Sequence, residues 1–125
     1  MKNTGDLPAI RQHMNLLFDF YGSMLTPKQA ECFSMRYAQD YSLAEIAQEL
    51  DTSPQAIVDF LNRATSSLKR YESHLELVRK FQERNSIIEN IQAGLDKLEQ
   101  STSSNDSTIE AIQKIKTNAD KLMNI

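Results

Sequence analysis

Few side chains in this 125-residue chain are of types that carry out chemistry unaided. His13 and His74 are its histidines and Cys32 its one cysteine. A nucleophile needs a base within hydrogen-bond reach, and a zinc site needs several Cys, His or carboxylate ligands brought together. The histidines fall in different predicted helices and Cys32 in an apolar-rich one, so they read as two surface imidazoles and a buried thiol. There is no glycine-rich phosphate loop. The chain is therefore expected to be no enzyme, with no metal and no cofactor. A different set of side chains has the types and spacing to meet nucleic acid. Gln55 can bond an adenine edge, Asn62 lies two turns further on, and Arg63, Lys69 and Arg70 can neutralise phosphates. Asp59 falls on the same side of a helix, where a carboxylate repels phosphate but can accept from a cytosine amino group.

Charge argues against a protein that depends on phosphate alone. The net charge is −3, and residues 26 to 70 hold five basic and six acidic groups. Only residues 60 to 84 lean basic, with six cations against three carboxylates. Phe18, Phe20, Tyr21, Phe33, Tyr37 and Tyr41 resemble a stacking platform for bases, but their helical spacing and the lack of interleaved cations make them core or interface residues.

These side chains have to be positioned by helices. Gly and Pro number three each, and 40% of residues are apolar, which suits a folded, helix-rich chain. A first helix is expected from Pro8 or Ala9 to Gly22, with Asp6 as cap and Gly22 as C-cap. Met14, Leu17, Phe18 and Tyr21 form one of its faces, and Leu16 and Phe20 a second. Thr26-Pro27-Lys28-Gln29 is a capping box with proline at the first helical position, opening a helix over about 27–39. Ser42-Leu43-Ala44-Glu45 is another, opening a short helix through Leu50, and Ser53-Pro54 starts a long one. Ile57, Leu61, Ala64, Leu68, Tyr71, Leu75 and Val78 then run as an unbroken heptad seam. Phe81, Ile88, Ile91, Leu95 and Leu98 continue the stripe, with a bend expected between 81 and 87. A polar linker is expected near 101–107, then a tail, frayed or ordered against another subunit, carrying Ile109, Ile112, Ile115, Ala119 and Leu122, with Asp106 or Ser107 as its cap.

The stretch from Leu43 to Arg63 holds two short-capped helices joined by Asp51-Thr52-Ser53, with small Ala47 where the helices must cross. That is the spacing of a helix-turn-helix, whose second helix presents its first turns to the major groove. The segment LTPKQAECFSMRYAQDYSLAEIAQELDTSPQAIVDFLNRATSSLKRYE resembles the fourth region of bacterial sigma-70 factors. With MNLLFDFYGSMLTPKQ, it resembles the YlxM family of helix-turn-helix proteins over roughly Arg11 to Arg84. The resemblance implies an all-α fold: a helix-turn-helix of sigma-70 region 4 type with an N-terminal helix and a long C-terminal helical arm. It also implies a regulatory or auxiliary role connected with the signal recognition particle pathway. By position, Ser42, Glu45, Ile46, Ala47 and Leu50 match the supporting helix. Ser53, Gln55, Ala56 and Ile57 match the start of the recognition helix, and Arg63, Ala64, Leu68 and Lys69 its end. Pro54 departs from the pattern, standing where such proteins often carry a polar or basic residue.

Two domains follow: residues 1–80, with the helix-turn-helix and the start of the long helix, and 81–125, the helical extension. No run approaches the roughly 18 apolar residues of a membrane span, and the N-terminus lacks a signal-peptide core, so a cytoplasmic protein without membrane insertion is expected. Action through a protein partner leads, with sequence-specific duplex DNA and then RNA as alternatives. Surplus apolar surface predicts a homodimer through Leu16, Phe20, Leu75, Val78 and Phe81.

Overall fold

The computed structural model describes residues 7–101 and 106–124, apart from the Leu7 side chain, and among them there are six α-helices and no strand. The helices are α1 (Leu7–Tyr21), α2 (Pro27–Phe33), α3 (Leu43–Glu49), α4 (Pro54–Leu75), α5 (Leu77–Ser101) and α6 (Asp106–Met123). A 3₁₀ turn, Gly22–Met24, follows α1, and a π turn, Ser34–Ala38, extends α2. The chain forms two compact units, one through Val78 and one from Arg79 onward.

Local capping sets the helix starts of the first unit. The Thr26 hydroxyl accepts from the Gln29 N–H while the Gln29 side chain accepts from the Thr26 N–H. Ser42 and Glu45 do the same at α3, and the Ser53 hydroxyl accepts from the Ala56 N–H at α4. Each bond satisfies a helix N–H that has no partner within its own helix. The Ser42 bonds hold the Glu45 carboxyl below its ordinary value of 4.5.

The core of this unit is built on Tyr21, Phe33, Leu17, Ile46, Ile57 and Leu68, all essentially inaccessible to solvent. α1, α2 and α3 each pack on α4, whose Ile57, Leu61, Ala64 and Leu68 point inward. The Phe18 ring stacks on Phe33 at 5.2 Å, and Phe33 meets Tyr37 at 4.6 Å. The aromatic residues are thus core and its margin, with Phe18, Phe20, Tyr37 and Tyr41 packed against the buried cluster.

Several boundaries differ from the sequence reading. The first helix ends at Tyr21, and Gly22 is not a left-handed C-cap; among described residues no glycine has positive φ. Gly22 answers a steric demand instead, because a Cβ there would lie 2.9 Å from the Phe18 ring. The expected cap Asp6 lies outside the described residues. The π turn widens the end of the second helix and shifts its inward face, so Met35 is buried and Ala38 exposed.

The larger correction concerns the long seam. It does not run unbroken through Val78: α4 ends at Leu75, Glu76 takes a left-handed conformation (φ 54), and α5 begins at Leu77. No bend falls between 81 and 87, where α5 is continuous and Asn85 and Ser86 are mid-helix. The reason is tertiary. The Tyr21 hydroxyl donates to Glu72 Oε1 at 2.6 Å and accepts from the Leu77 N–H at 3.0 Å. Glu72 Oε1 also accepts from the Val78 N–H at 3.0 Å. Side chains of α1 and α4 thus cap the first turn of α5.

In the second unit α5 and α6 form an antiparallel hairpin around buried Ile88, Leu95, Ile112 and Ala119. Lys116 lies 2.7 Å from Asp96 and 3.1 Å from Glu99, Gln113 donates to Glu99, and Gln92 donates to Asp120. Those carboxylates push the Lys116 ammonium above its ordinary value. The tail is therefore an ordered helix against its own chain, and Asp106 and Ser107 lie within its first turn. Ser101 closes α5, and 102–105 of the expected linker lie outside the described residues.

Candidate functional site

The helix-turn-helix is α3, the turn Leu50–Ser53, and α4. Ile46 and Ala47 on α3 and Ile57 and Leu61 on α4 are buried where the two helices pack together, and a larger side chain at Ala47 would hold the helices apart. The turn closes through the Thr52 N–H on the Ala47 carbonyl at 2.9 Å, with Asp51 left-handed (φ 50). Asp is among the few non-glycine residues that adopt this conformation readily, since its short polar side chain can bond locally. Ser53 then caps α4 and Pro54 fills its first position, so the missing proline N–H costs nothing there.

At about 3.6 residues per turn, Gln55, Asp59, Asn62, Arg63, Lys69 and Arg70 share one stripe of α4. All six are exposed, and the buried residues of α4 lie opposite. The structure therefore brings together all five sequence-predicted nucleic-acid residues, and Asp59 with them. Within the stripe Arg63 lies 3.3 Å from Asp59 in an i,i+4 pair. The Arg70 guanidinium sits 5.6 Å from the centre of the Tyr71 ring. Lys69 carries no ion pair among the described residues. The spacing of Asp59 and Arg63 was the available signal for their pairing.

The expected interface residues differ in exposure. Leu16 and Phe20 are partly buried against the core of their own unit, so α1 has less free apolar surface than its pattern suggests. Val78 is 1% exposed and offers no surface, because capping by Glu72 draws the start of α5 into the core. Leu75 is exposed, and Phe81 is half-buried with the Arg84 guanidinium 5.7 Å from its ring centre.

Sequence reasoning missed the Tyr21–Glu72 cap. Burial first, then the bond to Glu72, pushes the Tyr21 phenol above its ordinary 10.0. Cys32 is buried as expected, and burial first, with Glu31 adding, raises its thiol above 9.0. A thiol so placed is a poor nucleophile at neutral pH. His13 and His74 are exposed. Among the described residues no three His, Cys, Asp or Glu side chains group to hold a metal ion, and no helix is long and apolar enough to cross a membrane.

Two capped helices around a tight left-handed turn, with the second helix presenting a polar stripe, define a helix-turn-helix protein. The family model "Putative helix-turn-helix protein, YlxM / p13 like" (UPF0122) matches residues 9–119, and the chain belongs to that family. Among its relatives, UPF0122 protein lin1916 of Listeria innocua is 48% identical over 84 residues, covering 67% of this chain and 76% of that protein. UPF0122 protein BH2485 of Halalkalibacterium halodurans is 46% identical over 84 residues, with 67% and 77% covered. UPF0122 protein BcerKBAB4_3669 of Bacillus mycoides is 42% identical over 102 residues, or 82% of this chain and 93% of the relative.

Proposed function

We propose that this chain is a regulatory or auxiliary protein whose helix-turn-helix serves protein contact, in a homodimer, rather than base readout. The observation that carries the reading is the Asp59–Arg63 pair on the exposed stripe of α4. The best-placed guanidinium for a phosphate is already opposite a carboxylate, and a phosphate approaching it meets that charge as well. The partner proposed is a component of the signal recognition particle pathway, in the cytoplasm, as the family resemblance implies.

Duplex DNA is the second reading, favoured by one specific arrangement: Gln55, Asn62, Arg63, Lys69 and Arg70 share one exposed face of the second helix. RNA ranks below both, since the aromatic rings are turned into the core.

Titration calorimetry with purified signal recognition particle protein, its RNA and its receptor, each added separately, tests the reading. Saturable heat with a protein component supports it. Retention of a specific duplex from a mixed-sequence library at low salt, lost in Arg63→Glu/Lys69→Glu, overturns it in favour of DNA. Asp59→Asn sharpens the contrast, because freeing Arg63 strengthens any phosphate contact.

A further inference from the structure

The α5–α6 hairpin has two unlike edges. One is laced by Lys116 with Asp96 and Glu99, by Gln92 with Asp120, and by Gln113 with Glu99. These pairs fix an antiparallel register in which Ile91 stands level with Leu122 and Leu98 level with Ile115, within about one residue, given a rise of ~1.5 Å per residue. Ile87, Ile91 and Leu98 on α5 and Ile115 and Leu122 on α6 lie on the other edge, each 44–53% exposed. Ile87, Ile91 and Leu122 frame a cleft of about 480 Å³ with Arg79, Lys80, Glu83 and Arg84 toward one end.

Gly94 lies between Ile91 and Leu98 on this edge. Mid-helix glycine costs roughly 0.5–1 kcal/mol against alanine. Among the described residues nothing requires it: a Cβ there would meet nothing within 4 Å. A glycine on an apolar helix edge permits another backbone to approach closely.

We infer that this edge is a self-association face, on which a second copy of the hairpin packs antiparallel about a two-fold axis at Gly94. This rests on the reading of the chain as a homodimer and locates its contact. Three observations favour a second copy as occupant. The two exposed layers, Ile91 with Leu122 and Leu98 with Ile115, each hold one Ile and one Leu, so a two-fold at Gly94 lays one layer on the other. Leu98 and Ile115 of the copy then enter the cleft framed by Ile87, Ile91 and Leu122. The area fits as well. A standard interface covers roughly 800 Å² per partner, a little over half of it apolar, and five half-exposed Ile and Leu side chains supply roughly 450 Å².

Sedimentation equilibrium of the full chain at micromolar concentration reads the state, with 14.3 kDa as the monomer mass. The wild type is expected at about twice that value. Ile91→Glu/Leu98→Glu is expected at the monomer mass with its helical circular dichroism retained, a weakening of at least about 100-fold. Gly94→Cys is expected to cross-link between copies under mild oxidation, and Glu89→Cys, on the polar edge of α5, is not. A wild type at the monomer mass throughout overturns self-association and this face together. A double variant that stays dimeric, or equal cross-linking of the two cysteine variants, overturns the face and leaves self-association standing. If the double variant loses its helical signal, the cysteine pair decides.

Discussion

The two units of this chain solve the same problem with different resources. The first buries residues of α1, α2 and α3 around α4, so its stability rests on aromatic and aliphatic packing between segments far apart in sequence. The hairpin buries Ile88, Leu95, Ile112 and Ala119 and relies on a polar network along one edge. Two helices cannot enclose a core, so half-exposed Ile and Leu remain on the other edge. The more regular unit, with its long amphipathic helices, thus leaves a row of Ile and Leu side chains half-exposed.

The largest break in that comparison comes from Phe33, which is fully buried and packed on Phe18 and Tyr37. Phe33→Ala is expected to destabilise the first unit by about 3–5 kcal/mol, measured by urea unfolding. Ile112→Ala, in the hairpin, is expected to cost about 2 kcal/mol, at the low end for a site that can collapse. Equal costs would show that the hairpin core is as demanding as the first.

The two described glycines sharpen the contrast by sign. Gly22→Ala forces a methyl against the Phe18 ring and is expected to cost about 1–3 kcal/mol. Gly94→Ala meets open space and is expected to raise monomer stability by roughly 0.5–1 kcal/mol, read from thermal melts in the Ile91→Glu/Leu98→Glu background. A loss at Gly94 in that background would mean the glycine serves the chain's own fold.

Tyr21→Phe removes the acceptor of the Leu77 N–H and a donor to Glu72, and is expected to cost about 1–3 kcal/mol. It also changes the alkaline limb. The folded phenol is raised above 10.0, so its contribution is complete below pH 10 and is lost as pH rises through the folded value. Cys32, raised above 9.0, contributes a loss of the same sign starting lower. The variant is expected to keep the Cys32 part and lose the Tyr21 part, checked by urea midpoints across pH 8–12. An unchanged profile would remove Tyr21 from the account.

Asp51→Gly has the smallest effect. Releasing a left-handed Asp is expected to add about 0.5 kcal/mol, since glycine adopts that conformation without a Cβ clash but loses more chain entropy on folding. A loss would show that the Asp51 side chain supports the turn between α3 and α4.

Much of the helix-turn-helix was legible from local chemistry. The caps at Thr26, Ser42 and Ser53 need only a hydroxyl and an N–H three residues on, so spacing alone reveals them. The exposed stripe of α4 was legible too, because burial of Ile57, Leu61, Ala64 and Leu68 fixes which side faces out. The pairing of Arg63 with Asp59 lay within reach of the same reasoning, though it depends on rotamers. The partial burial of the expected interface residues Leu16 and Phe20 did not. Leu16 and Phe20 carry the pattern of a free face, yet neighbouring helices partly cover them.

What the sequence determined by itself is therefore what depends on neighbours within about one turn: helix starts, the short turn after α3, and the inward and outward faces of α4. Tertiary structure decided where the long seam breaks. The heptad spacing runs straight through Glu76, and no local signal marks a stop there. The break is held by Tyr21, whose hydroxyl reaches Glu72 and the Leu77 N–H across separations of 51 and 56 residues. Free N–H groups at the start of α5 are costly when buried, and only a side chain delivered by the fold could satisfy them.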